Sequence, residues 1–212
     1  MDILLTHAYF LYEDPKEQEI MRPYPPLGLL YLSSYLKLKG FGVEVFDTTF
    51  STRDALEDTI RIQRPPMVGI YCNLMTRSSA LDVIRCCRRY DCQVVVGGPE
   101  PANYPEEYLS RGADIVVVGE GELTLEELLA HQASSSTGLS GIAGLVYRDN
   151  DGHIRRNSTR SHIKDLDSLP FPDREAIDMK AYLEIWRRYH GSGAVSLITS
   201  RGCPYTCTWC SH

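Results

Sequence analysis

Cys203, Cys207 and Cys210 stand in the string Arg-Gly-Cys-Pro-Tyr-Thr-Cys-Thr-Trp-Cys, spaced C-x3-C-x2-C. Three thiolates on one short loop, with no fourth cysteine near, can hold a cubane iron–sulfur cluster and leave one iron without a protein ligand. Such an iron is open to chemistry, whereas a cluster held by four protein thiolates mostly moves electrons. A zinc knuckle is the competing reading. Zinc usually closes on four ligands, and His212, two residues past Cys210, is awkwardly spaced as the fourth. The remaining cysteines, Cys72, Cys86, Cys87 and Cys92, fall within strand and helix patterns. There a free thiol packs as a small hydrophobe.

A second set of candidates lies where strand-like runs end. Cys72-Asn73-Leu74-Met75-Thr76 follows the third run, Gly97-Gly98-Pro99 the fourth and Gly119-Glu120-Gly121-Glu122 the fifth. Ligands of open parallel sheets sit outside the carboxyl ends of the strands, and glycines there let a large flat molecule approach the backbone. Singly, each glycine also suits a tight strand-to-helix turn, and Glu120 and Glu122 also suit a helix N-terminus. Together they favour a cofactor site formed by Asn73, Leu74, Thr76, Gly97, Gly98, Pro99, Gly119, Glu120 and Gly121. The G-x-G-x-x-G and G-x-x-x-x-G-K-[ST] phosphate loops are missing, which disfavours dinucleotides and nucleoside triphosphates.

The elements that must carry these residues alternate regularly. Apolar runs at 3–6, 43–46, 67–71, 93–96 and 114–118 are separated by helical periodicities at 27–39, 53–63, 78–90, 105–110 and 122–131. This pattern predicts an α/β fold, a flavodoxin-like, Rossmann-type, five-stranded parallel sheet with helices on both faces and strand order 2-1-3-4-5. Gly40 and Gly42 punctuate the first helix-to-strand turn. The polar stretch 134–138 reads as a boundary. Beyond it, Asn150-Asp151-Gly152 marks a hairpin between runs 144–148 and 153–155. Leu169-Pro170-Phe171-Pro172-Asp173 reads as an extended, proline-stiffened connection. A helix over 177–189 and a strand over 194–199 complete the chain, the cysteine loop following that strand.

Composition narrows the class. With 43% hydrophobic and 24% charged residues the chain has the make-up of a globular protein with ample core. A net charge of −6 supplies no basic face for nucleic acid. The opening Met-Asp-Ile-Leu-Leu-Thr-His has no basic segment of a signal peptide, and no apolar stretch reaches the ~20 residues of a membrane span. Cytoplasm is the expected compartment, and thiols plus a metal site the expected use of seven cysteines.

The cysteine string, with Trp209 before its last thiol, resembles the cluster loop of radical S-adenosylmethionine enzymes. The resemblance implies that Cys203, Cys207 and Cys210 ligate a [4Fe–4S] cluster and that Trp209 sits beside the adenine of S-adenosylmethionine. The fourth iron would be chelated by that molecule's amino and carboxylate groups, and reduction would cleave it to methionine and a 5′-deoxyadenosyl radical. Tyr-Pro-Pro-Leu-Gly-Leu-Leu-Tyr-Leu from Tyr24, Val-Val-Val-Gly-Gly-Pro-Glu from Val94 and Val-Val-Gly-Glu-Gly-Glu from Val117 are similar to the cobalamin-binding domain fused ahead of many such enzymes. Leu-Pro-Phe-Pro-Asp-Arg from Leu169 and Leu-Ile-Thr-Ser-Arg-Gly-Cys from Leu197 are similar to their connector and entry strand. Many cobalamin domains place an axial histidine in D-x-H-x-x-G; here His7 lacks both the aspartate and the glycine, and is expected on the loop or rim rather than on cobalt. Asp151-Gly152-His153 is read as turn chemistry. Cys72-Asn73-Leu74 stands where Ser-x-Leu is usual, and Gly97-Gly98 is the paired glycine.

The implied organisation is a cobalamin-binding domain over 1–133, a linker and connector over 134–190, and the start of a radical S-adenosylmethionine barrel over 191–212. A full barrel takes ~200 residues or more, so the chain is expected to be an N-terminal portion, inactive by itself. The implied reaction is methyl transfer or radical cyclisation on a small-molecule or natural-product substrate, with an electron donor such as flavodoxin or ferredoxin. A non-catalytic cobalamin-binding module, or a flavodoxin-like regulatory domain, is the alternative.

Overall fold

The computed structural model describes residues 1–134, 138–203, 205, 207 and 208; most of the serine linker, Trp209, Cys210 and His212 lie outside the described residues. In chain order the elements are β1 (Ile3–His7), α1 (Pro15–Ile20), α2 (Leu27–Leu38), β2 (Val43–Phe46), α3 (Arg53–Gln63), β3 (Met67–Tyr71), α4 (Arg77–Arg89) and β4 (Gln93–Gly97). They continue with α5 (Pro99–Asn103), α6 (Pro105–Ser110), β5 (Ile115–Val117), α7 (Gly121–Ala133), β6 (Leu145–Arg148), β7 (Ile154–Arg156) and α8 (Met179–His190).

One sheet runs β2-β1-β3-β4-β5-β6-β7. Its first five members are parallel in the expected order 2-1-3-4-5. Period-two alternation divides their side chains between two cores. Leu4, Val68, Val94 and Val116 face α3, α4 and α6, where Leu56, Ile60, Ile84 and Leu109 cover them. Ile3, Leu5, Val95 and Ile115 face α2 and α7, under Leu29, Leu36, Leu125 and Leu128. Because both faces are covered, the inner strands read as near-continuous apolar runs, whereas the edge strand β2 carries an exposed Glu44.

The sheet has seven strands, not the five expected. The hairpin foreseen at Asn150-Asp151-Gly152 adds antiparallel to the edge of β5, with Val116 opposite Val146 and Tyr147 opposite Arg155. The turn residues foretold a hairpin but not the edge it joins. In β6 the first three residues are buried: Val146 enters one core while Leu145 and Tyr147 enter the other. Its partner β7 is wholly exposed.

The strand expected over 194–199 does not form among the described residues. A strand exists by pairing with a neighbour, and residues 194–199 pair with none of the described strands. The connector is fixed differently. Asp173 accepts hydrogen bonds from Ser33 (2.6 Å) and Lys37 (2.7 Å) of α2, and its own N–H donates to Leu30. Burial raises the Asp173 carboxyl, but these donors outweigh it and hold the group below its ordinary value. Helix α8 is capped by the Asp178 side chain at Ala181 and ends at Gly191 in the left-handed region. Trp186 and His190 on it donate to, or pair with, the carbonyls of Pro23 (2.7 Å) and Met21 (2.9 Å).

Candidate functional site

The carboxyl rim of the sheet has two unlike halves. At the ends of β3, β4 and β5 the backbone opens. Gly98 has φ +112°, and a Cβ there would overlap the Cys72 carbonyl oxygen and press on the Tyr71 ring. Gly119 has φ +90° with free space where a Cβ would go. Both conformations are costly for any residue but glycine.

Behind this rim lies a cleft of about 240 Å³ between α2 and α7. Leu5, Gly69, Val95 and Val117 form its floor, and Gly28, Leu32 and Leu125 belong to its walls. A Cβ on Gly69 would stand 2.8 Å from the Leu5 side chain, so glycine in mid-strand deepens the floor. Glu122 and Arg201 contribute charge to the lining. An apolar cavity with a few polar groups at its mouth is the form of a small-molecule or cofactor site.

Of the residues expected here, Gly97, Gly98, Gly119 and Gly121 line the cleft. Asn73 and Thr76 instead close a turn on each other: the Asn73 side chain accepts from Thr76 N–H (3.0 Å), and Thr76 Oγ1 accepts from Asn73 N–H (3.1 Å). That turn presents Leu74 and Met75 outward, 70% and 86% exposed. Pro99 begins α5. Glu120 accepts from Ile163 N–H (2.6 Å). Sequence reading passed over Gly69, Tyr31 and Arg201. A glycine inside the apolar run 67–71 was the available signal for the first.

At the ends of β1 and β2 the rim is sealed by polar contacts. His7 Nε2 meets Asp47 Oδ1 at 2.8 Å, while Nδ1 accepts from Tyr9 N–H at 3.3 Å. Tyr182, from α8, donates to Asp47 Oδ2 (2.6 Å) and lies 2.8 Å from Thr49 Oγ1. His7 thus stands on the rim, as expected, at the end of β1, but it is buried, 5% exposed, with Asp47 beside it. Burial works against an ionised Asp47, yet the bonds from His7 and Tyr182 prevail and its carboxyl lies below the ordinary value. Burial, then the adjacent Asp47 charge, push the Tyr182 phenol well up. Cys72, in contact with Tyr108 Oη at 3.1 Å, is a buried thiol whose pKa burial raises.

Cys203 and Cys207 are exposed free thiols, and Cys210 and Trp209 lie outside the described residues. The root of their loop is described. Arg201 pairs with Glu122 (2.6 Å) and Glu120 (3.5 Å) at the start of α7 and lies over the Tyr31 ring, 5.4 Å from its centroid. Asp149, Asp151 and His153 also cluster. There Asp149 Oδ1 accepts the N–H groups of Asp151 (3.1 Å) and His153 (2.8 Å), as a turn-forming aspartate does.

A doubly wound sheet with a glycine-lined cleft at its strand ends defines a protein that holds a cofactor against that rim. The B12 binding domain model matches residues 19–129, and the chain belongs to that family. An uncharacterized methyltransferase of Pyrococcus horikoshii is 33% identical over 196 residues, spanning 88% of this chain and 40% of the relative. An anaerobic magnesium-protoporphyrin IX monomethyl ester cyclase of Synechocystis is 29% identical over 207 residues, spanning 93% of this chain and 39% of the relative. Among solved structures, the cobalamin-dependent S-adenosylmethionine radical enzyme OxsB, with aqua-cobalamin and S-adenosylmethionine bound, superposes with a TM-score of 0.76 at 25% identity. That match covers 98% of this chain and 28% of OxsB. The resemblance drawn from the motifs to cobalamin-binding radical S-adenosylmethionine enzymes thus agrees with the relatives. The chain spans about two fifths of the curated relatives' length. No helix among the described residues is long and apolar enough to cross a membrane.

Proposed function

We propose that this chain provides the cobalamin-binding domain and the cluster loop of a radical S-adenosylmethionine enzyme that performs methyl transfer or radical cyclisation on a small-molecule or natural-product substrate. The observation that carries the proposal is that Arg201, at the root of the cysteine loop, lines the same cleft as Gly97, Gly98, Gly119 and Gly121. The residue at the root of the proposed cluster loop thus belongs to the lining of the proposed corrinoid cleft.

The residues present fit a corrinoid. Gly98 and Gly119 hold backbone conformations that remove side chains from the rim, and Gly69 removes one from the floor. Leu74, Met75 and Tyr71 supply exposed apolar surface beside the opening. His7 keeps both ring nitrogens engaged within the protein, so no histidine of β1 is offered to cobalt. Cys203, Cys207 and Cys210 would hold the cluster and Trp209 would lie beside the adenine. When bound, a reduced [4Fe–4S] cluster supplies the electron that cleaves S-adenosylmethionine, and a corrinoid supplies a methyl carrier. The chain's own part is to orient these groups and keep water from the apolar cleft. A flavodoxin or ferredoxin is the class of electron donor proposed.

Anaerobic reconstitution with iron, sulfide and cobalamin, followed by absorbance and metal analysis, tests this reading. Bound corrinoid together with the cluster's charge-transfer band is expected. Cys207→Ala should lose the band and keep the corrinoid. Corrinoid without any cluster in the unaltered protein would instead favour a non-catalytic cobalamin module.

A further inference from the structure

Arg201 stands two residues before Cys203, and its side chain pairs with residues of the B12-binding domain. Its guanidinium reaches Glu122 at 2.6 Å and Glu120 at 3.5 Å. The Glu122 side chain is 5% exposed and that of Arg201 22%, so the pair is largely withdrawn from water. Charge pairs of this kind are costly to break from one side, because the remaining partner is left buried and uncompensated. The same guanidinium covers Tyr31 of α2, while both glutamates belong to the start of α7. One side chain therefore spans the mouth of the cleft, from one wall to the other. The segment leading to it has a second tie: Arg174 Nη2 donates to the Ser196 carbonyl at 2.7 Å. A planar fork that pairs and stacks together is a role lysine does not reproduce.

We propose that Arg201 is a positioning residue that fixes the cluster loop relative to the corrinoid cleft through Glu122, Glu120 and Tyr31. This rests on the proposed function above. In this role Arg201 would set where the loop begins. A displacement of about 1 Å in such a register can cost roughly a hundredfold in rate.

The test uses the full-length enzyme, loaded with cobalamin and cluster and reduced to the state in which both centres are paramagnetic. Pulsed electron paramagnetic resonance then reads the magnetic coupling between them in the unaltered enzyme, Arg201→Leu, Arg201→Lys and Glu122→Gln. The expected result is one narrow coupling in the unaltered enzyme, broadened in Arg201→Leu and Glu122→Gln at unchanged iron and cobalamin content. Arg201→Lys should be intermediate, and turnover by Arg201→Leu should fall about a hundredfold. Unaltered coupling in Arg201→Leu overturns the inference. So does loss of both cofactors from Arg201→Leu and Arg201→Lys alike, which would make the residue a determinant of folding. An unaltered enzyme that binds no corrinoid or no cluster defeats the functional reading itself, which separates the two failures.

Discussion

The ends of β1 and β2 and the ends of β4 and β5 belong to one rim, yet they solve opposite problems. At the first, His7, Asp47, Thr49 and Tyr182 satisfy one another, and α8 lies across them. At the second, Gly98 and Gly119 carry no side chain, and an apolar cleft opens behind them. The contrast teaches how a single sheet anchors its connector at one side and leaves the other free for a ligand. Buried polar groups that complete each other's hydrogen bonds fix a unique geometry. Glycines with positive φ clear space without disturbing the strands.

Gly98→Ala is the harshest way to break the contrast. The added Cβ strains the backbone and meets the Cys72 carbonyl, so a loss of about 3 kcal/mol is expected, with cobalamin retention abolished. Urea unfolding and gel filtration with cobalamin would measure both. An unchanged midpoint would mean that the open half is not held as described.

Tyr182→Phe probes the sealed half. Removing the hydroxyl leaves Asp47 and Thr49 short of a partner, at a cost of about 1–3 kcal/mol, while cobalamin affinity stays unchanged. A drop in cobalamin affinity would show that the halves are not separable. The pH dependence sharpens this. Tyr182 is raised above its ordinary 10.0, so its contribution is complete below pH about 10 and is lost as pH rises beyond that value. Asp47 is lowered below its ordinary 3.8, so its contribution is present above that value and is lost as pH falls through the folded pKa. Urea midpoints across pH should therefore decline at both extremes, and Tyr182→Phe should flatten the alkaline limb.

The mildest change is Leu74→Ser. Leu74 is 70% exposed, so stability should move by less than about 0.5 kcal/mol. Cobalamin affinity should weaken by about three- to tenfold through lost apolar contact. Equal affinity in equilibrium titration would place the ligand's apolar contacts away from the β3 end.

The inner parallel strands were legible because they are buried on both faces and so read as apolar runs, as with Val94, Val95 and Val96, while the edge strand β2 alternates through an exposed Glu44. The glycines at their ends were legible because a positive φ at Gly98 or Gly119 admits little else. The burial of His7 was not legible because its partner Asp47 lies 40 residues away, a separation that no local pattern spans. The hairpin was legible through its turn residues, but its attachment to β5 depends on tertiary burial of Leu145 and Tyr147. Arg201 was read only as part of the cysteine string, since nothing beside it in sequence announces Glu122 as its partner.

The hairpin has a further consequence. Strand β7 forms one margin of the sheet, and its sequence is Ile154-Arg155-Arg156, with Arg155 paired to Asp149 (2.6 Å) and Arg156 to Glu106 (3.6 Å). A margin strand with unpaired backbone groups is a template on which another chain can extend a sheet, and short length with charged side chains discourages it. Two arginines on a three-residue strand therefore act as a stop: they end the growth of the sheet and guard the molecule against edge-to-edge aggregation.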